Sequence, residues 1–232
     1  MYLLTETASP FALERWAAFF ANFGQFAKGF FYTLGISIGA LIVALLLGLI
    51  FGAMSSTHNK ALRGISRVYV EIFQNTPLLV QFVVVFYGIS ILTDGHVMIP
   101  ISLTAILCVG VYTGAYISEI IRTGIEAVPK GQTEAALSQG FTYADTMRII
   151  ILPQAVRTIL PPLTNQVVNL IKNTSTVAII SGADIMFTAK AWAYDTTNYV
   201  PAFAGAAFLY LIMCFPLATW ARRKEEENKK AY

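Results

Sequence analysis

The chain has 232 residues, 56% of them hydrophobic and 12% charged, with a net charge of +3. Soluble domains carry about 25% charged residues, so this composition excludes an ordinary soluble enzyme, and the small net charge gives no sign of a nucleic-acid partner. The apolar residues lie in long blocks, and the stretch from Phe30 to Met54 holds no charge at all. About 20 apolar residues carry a helix across a bilayer, whereas barrel strands alternate over ~10. The expected class is therefore an all-α integral membrane protein, because lipid admits only segments that satisfy their own backbone.

In chain order, residues 10–27 come first. Phe11, Trp16, Phe19, Phe20, Phe23 and Phe26 recur there at helical spacing, with Glu14, Arg15, Asn22 and Gln25 between them. Two readings stand: an amphipathic helix on the outer membrane surface, or a ragged start to the first span. Glu6, Glu14, Arg15 and Lys28 in the first thirty residues do not fit a cleavable leader.

Five spans follow, at roughly 28–54, 68–92, 99–121, 158–181 and 201–221. Gly35 with Gly39, Gly48 with Gly52 and Gly110 with Gly114 fit the small-xxx-small spacing of close-packed membrane helices. The segments 55–67, 122–157 and the C-terminal tail share one side of a five-span arrangement and hold 12 of the 16 basic residues. Basic loops stay in the cytoplasm, which predicts an external N-terminus and a cytoplasmic C-terminus. Cys108 and Cys214 lie inside apolar blocks and read as inert packing. Within the second span, Asn75, Thr76 and Pro77 interrupt the apolar run. Proline there frees a carbonyl that can face a substrate or water, or it simply kinks the helix.

The 122–157 segment is 36 residues long, too long for a simple turn. Pro129 and Gly131 break the preceding helix, and Gln132 to Gln139 reads as a short helix closed by Gly140. Thr142 follows as an N-cap with Asp145 three residues on, and a second helix, 143–152, is expected to stop at Pro153. This predicts a helix–turn–helix suited to docking in a groove of another protein. In the fourth span Asn165, Asn169, Lys172 and Thr176 recur at helical spacing and share a face, with Asn173 at its edge. A lysine deep in a bilayer costs about 2.5–3.5 kcal/mol and normally faces a cavity or a partner. Lys172 can attract the α-carboxylate of an amino acid, or pair structurally with Glu71 or Glu119. Those two acids are expected to pair instead along their own helices, with Arg67 and Arg122.

Glu134-Ala135-Ala136, then Gly140, then Leu152-Pro153 resembles the EAA loop of ABC importer permeases. The run from Glu71 to Gln81, with Asn75-Thr76-Pro77, and the run from Asn169 to Ser175 look like the polar amino-acid branch, of the histidine and glutamate/aspartate type. That branch commonly has Arg-Gly or Arg-Asn before the Thr-Pro. This chain has Gln74-Asn75, so no role of that arginine carries over. The resemblance covers nearly the whole chain as a single permease domain and implies a type I importer permease of about five spans in a bacterial inner membrane. It implies coupling to an ATPase through Glu134, Ala135, Ala136, Gly140, Leu152 and Pro153. It also implies partners: an ATP-binding subunit dimer carrying ATP and magnesium, a second permease protomer, and an extracytoplasmic substrate-binding protein.

The chain carries no phosphate-binding G-x-x-x-x-G-K-[ST] loop, so ATP hydrolysis is expected elsewhere. His58 and His96 lie in separate loops and build neither a metal site nor a serine–histidine pair, so no metal and no cofactor are expected in this chain. The function expected is ATP-driven import of a polar amino acid by alternating access, acidic or neutral because Lys172 has no acid beside it at mid-span. An ion-coupled carrier would place acids at a central site, and here the acids lie near span ends. A non-transporting scaffold would leave the polar stripe of the fourth span unexplained.

Overall fold

The structure is a computed structural model that describes Ser9 and residues 11–230, and every described element is helical. Two helices open the chain: α1 (Leu13–Ala21) and α2 (Phe23–Ser55), separated at Asn22. The aromatic stripe of 10–27 is therefore divided: Trp16, Phe19 and Phe20 lie on α1, and Phe23 and Phe26 lie in the first turns of α2; Pro10 lies outside the described residues. Phe19 anchors α1 to the bundle, tilted against the Phe26 ring and edge-on to Trp192, with centroids 4.8 and 6.0 Å away, while Phe11 and Phe20 remain exposed.

The central pair is α2 with α6 (Ile101–Glu126). Their contact is made by small residues: Ala40, Ala44, Gly48 and Gly52 of α2 and Gly110 and Gly114 of α6 are all buried. The large side chains Leu46, Leu49 and Ile50 point outward. In water this pattern would be inverted; in lipid it is expected, because packing rather than water exclusion holds helices together. A Cβ built on Gly48 would lie 2.4 Å from the Ile117 side chain, and one on Gly110 would lie 3.0 Å from the Ala40 carbonyl. Gly35, by contrast, meets nothing within 4 Å and takes no part in a close contact.

Between these two helices the second predicted span is not one helix. It comprises α3 (Lys60–Asn75), then α4 (Leu78–Val83), a wide π turn (Val84–Gly88) and α5 (Ile89–Leu92). The two arms meet at 100°. Pro77 cannot supply the amide that would continue the helix, and the preceding Thr76 is extended at φ −112°, ψ 135°.

After α6 comes the loop helix α7 (Lys130–Ser138), then α8 (Tyr143–Asp145), a π turn (Thr146–Ile151) and α9 (Leu152–Asn173). Here one expectation is corrected. Pro153 does not end a helix; it sits in the first turn of α9, where a missing N–H costs little, and the chain runs on from α8 through the π turn. The fourth predicted span is α9 followed by a tight 3-10 stretch (Thr174–Ile180) that ends at Ser181 with φ 60°. By length and composition α2, α6 and residues 199–223 of α11 (Tyr199–Lys230) are each sufficient to cross a membrane, and the bent pair makes a fourth.

A further helix, α10 (Ile185–Thr196), lies where the sequence reading places a plain connection. Its N-cap, Asp184, is fully buried; the carboxylate accepts the Phe187 and Met186 amides at 2.8 and 3.2 Å and the Tyr210 hydroxyl at 3.1 Å. Burial pushes this carboxyl up to about 6, partly offset by those donors. The Ile185 amide donates in turn to the Thr33 hydroxyl at 3.1 Å, so one polar joint ties α2, α10 and α11.

Candidate functional site

Two regions carry chemistry that packing alone does not explain. The first is the loop helix α7. Pro129 precedes it and Gln139 caps it, after which Gly140 turns left-handed at φ +87°. The Gly140 amide returns to the Leu137 carbonyl at 3.0 Å and the Phe141 amide to the Ala136 carbonyl at 3.1 Å. This is the paired closure that requires a residue tolerant of positive φ; a Cβ at Gly140 meets no atom within 4 Å, so the need is conformational and not spatial. The Thr142 hydroxyl then accepts the Asp145 amide at 3.2 Å, the N-cap expected from spacing. Ala136 is buried against the turn formed by residues 146–151, while Glu134, Ala135 and Leu137 face outward. Leu152 and Pro153 are exposed at the start of α9. The loop is thus a short helix fastened on one side to the root of α9 and open on the other.

The second region is the break after α3 together with the far end of α9. In a helix the amide of residue i binds the carbonyl of residue i−4. At the break Pro77 leaves the Phe73 carbonyl without its amide and Thr76 is no longer helical, and side chains cap the end of α3. The Asn75 amide donates to the Glu71 carbonyl at 2.8 Å and the Thr76 hydroxyl to the Ile72 carbonyl at 2.8 Å. Gln81 Nε2 donates to the Phe73 carbonyl at 3.2 Å, the group that Pro77 leaves unpaired, and to the Thr76 hydroxyl oxygen at 2.8 Å. Asn75 and Thr76, read as path residues, therefore also cap the helix end. Three more donors on α3 hold it to the central pair: Ser66 to the Phe51 carbonyl at 2.7 Å, Tyr69 to Val111 at 2.7 Å and Gln74 to Ala115 at 3.2 Å.

On α9, Asn165, Asn169 and Lys172 form an exposed stripe, and Asn173 is half-buried beside it. Thr176 lies beyond the end of α9, in the 3-10 stretch, and is half-buried. The two parts of the region meet: Leu78 and Phe82 of α4 share one buried core with Leu170, Val177 and Ile180. Glu119 is hydrogen-bonded to Arg122, and Glu71 stands 3.7 Å from Arg67, as the spacing along their helices predicts. No acid among the described residues forms a salt bridge with Lys172. Below the break an open cleft of about 660 Å³ is lined by Lys60, Arg67, Glu71, Asn75, Glu119 and Arg122, among others. The sequence reading missed the part played by Gln81, and the signal was present: it is an amide four residues after a proline, inside an apolar run.

A bundle of lipid-length helices that exposes a capped loop helix on one face and a polar stripe on another defines a membrane-spanning transport subunit. Residues 44–225 match the family model described as the binding-protein-dependent transport system inner membrane component. The chain belongs to that family, as a permease subunit of the ABC amino-acid import class. It is 37% identical over 216 residues to the probable glutamine ABC transporter permease GlnM of Bacillus subtilis, covering 92% of this chain and 97% of the relative. It is 34% identical to the glutamate/aspartate import permease GltJ of Escherichia coli K12, over 82% of this chain and 85% of that one. A chain of a crystal structure of an amino acid ABC transporter with histidines superposes with a TM-score of 0.84 at 30% identity, covering 91% of this chain and 98% of its own.

Proposed function

We propose that this chain moves a polar amino acid, acidic or neutral, into the cell by alternating access driven by a separate ATPase subunit. The observation that carries this reading is α7, a helix closed at Gly140, seated on the root of α9 and presenting Glu134, Ala135 and Leu137 to a partner. In this reading α7 lies on the cytoplasmic side and docks in a cleft of an ATP-binding dimer that carries ATP and magnesium. The N-terminus is then external, the C-terminus is cytoplasmic, and an extracytoplasmic binding protein delivers the substrate. Motion at α7 passes to α9 through the π turn beneath it. A helix of 22 residues reaches about 33 Å, which joins the docking surface to the stripe of Asn165, Asn169 and Lys172. Lys172 offers the positive charge for a substrate carboxylate, and Asn173, Thr176 and the Asn75-Thr76-Pro77 break line the same region. A second protomer, of this or a similar chain, covers the exposed stripe.

The relatives' names span glutamine, glutamate/aspartate and cystine. Lys172, which no acid among the described residues pairs with, supports anionic or zwitterionic substrates over cationic ones. Membership of the binding-protein-dependent permease family supports ATP drive over an ion gradient, and Glu71 and Glu119, two of the acids lining the cleft, stand paired with arginines.

The test is reconstitution with the partner ATPase and binding protein, followed by uptake and amino-acid-stimulated ATP hydrolysis across a panel of amino acids. Ala135→Arg is expected to release the ATPase subunit and lower uptake more than tenfold while the permease remains in the membrane. Retention of both the ATPase and full uptake would remove α7 from the coupling role. Lys172→Glu is expected to lower glutamate uptake at least fivefold with the complex intact. Unchanged uptake would end the carboxylate role.

A further inference from the structure

Proline at position 77 deletes one amide from the helix, and the amide it deletes is the partner of the Phe73 carbonyl. The structure fills that gap from four residues downstream. Gln81 Nε2 reaches the Phe73 carbonyl at 3.2 Å, the Thr76 carbonyl at 3.2 Å and the Thr76 hydroxyl oxygen at 2.8 Å, so its two N–H groups span both arms of a 100° break. Its backbone amide opens α4 by bonding the Pro77 carbonyl at 3.2 Å. The other amide atom, Oε1, is buried with no partner. The side chain is thus oriented by its donors, and a carboxylate of the same size, which has acceptors only, cannot replace it.

We propose that Gln81 is the positioning residue of the transport path: its side-chain amide takes the place of the N–H that Pro77 lacks and fixes the angle between α3 and α4. That angle sets where Asn75 and Thr76 stand relative to the end of α9, because α4 shares its core with Leu170, Val177 and Ile180. Gln81 therefore acts on the path through the break and does not itself need to touch the substrate. Without the clasp the two arms move independently, and movement of the bundle is no longer converted into directed opening at the break. The inference rests on the permease reading but not on the identity of the amino acid.

The experiment uses the assembled complex with its ATPase and binding protein in proteoliposomes, with labelled L-glutamine and L-glutamate as probes. Gln81→Leu removes the donor, and Gln81→Glu keeps the size without the N–H groups. Both are expected to lower the number of amino acids taken up per ATP hydrolysed by about fivefold, the size of a hydrogen-bond loss. This ratio does not depend on how much protein folds. A ratio within twofold of the unmodified complex for both variants would overturn the proposal. A second arm reads thermal unfolding in a Pro77→Ala background, where a backbone N–H is restored to Phe73. Gln81→Leu is expected to lower Tm with Pro77 present and to lower it by less with Ala at 77, where only the bonds to Thr76 are lost. Equal lowering in both backgrounds would also overturn the proposal. If the unmodified complex takes up no amino acid of the panel, the importer reading fails, and the thermal arm still decides the role of Gln81.

Discussion

The α2–α6 pair and the α3–α4 break lie side by side, yet opposite physics holds them. The pair is closed by the absence of side chains: Gly48, Gly52, Gly110 and Gly114 let the two helices approach closely. The break is held by their presence, with Asn75, Thr76 and Gln81 each donating to a carbonyl near the end of α3. One region is limited by volume and the other by hydrogen bonds. In a transporter that must change shape, the first suits a rigid body and the second an element with a defined bend.

The largest effect should come from adding volume to the rigid pair. Gly48→Val puts a branched side chain where even a Cβ would stand 2.4 Å from Ile117. It is expected to abolish recoverable folded protein, read by size exclusion in detergent, whereas Gly35→Ala on the same helix, facing open space, should change Tm little. Normal yield of Gly48→Val would break the contrast.

The polar joint at Asp184 sharpens the comparison through pH. Its carboxyl titrates at about 6 when folded, above its ordinary 3.8, so the folded state holds the proton more tightly. The stability this contributes is complete below pH ~4 and is lost as pH rises through about 6. The difference is worth roughly 3 kcal/mol at 1.36 kcal/mol per unit. Tm of the unmodified protein should therefore fall between pH 4 and pH 7 relative to that of Asp184→Asn, which carries no titrating group there. Parallel profiles would show that the carboxyl titrates normally.

The smallest effect belongs to a single cap at the break. Thr76→Val keeps the shape but removes the hydroxyl that donates to Ile72 and accepts from Gln81. The expected cost is about 1 kcal/mol, seen as a few degrees in Tm and restored by Thr76→Ser. Failure of serine to restore it would mean that the methyl group, and so volume, matters here too.

Legibility in the sequence followed the range of the interactions. The loop helix was readable because its parts are neighbours: Gly140 closes the turn that begins at Ala136, and Thr142 caps the residues directly after it. Its start was misplaced by two residues, at Gln132 instead of Lys130, because Pro129 serves as the N-cap rather than as a distant breaker. The stop at Pro153 was misread because the local rule does not say whether a proline ends one helix or begins the next. The stripe on α9 is readable from its spacing, whereas the tightening of the chain at Thr174 is not, since periodicity assumes one helix type.

The sequence by itself determined that this is a helical membrane protein of the ABC permease family with a capped loop helix, because charge content, apolar run length and short motifs are properties of contiguous residues. Only the tertiary structure decided that the second span breaks by 100°, that Gln81 bridges it, that small residues face inward along α2, and that Asp184 is sealed between α2, α10 and α11. The reason is physical. Hydropathy separates water from everything else, but in a bilayer the lipid-facing and protein-facing sides of a helix are equally apolar, and only packing distinguishes them.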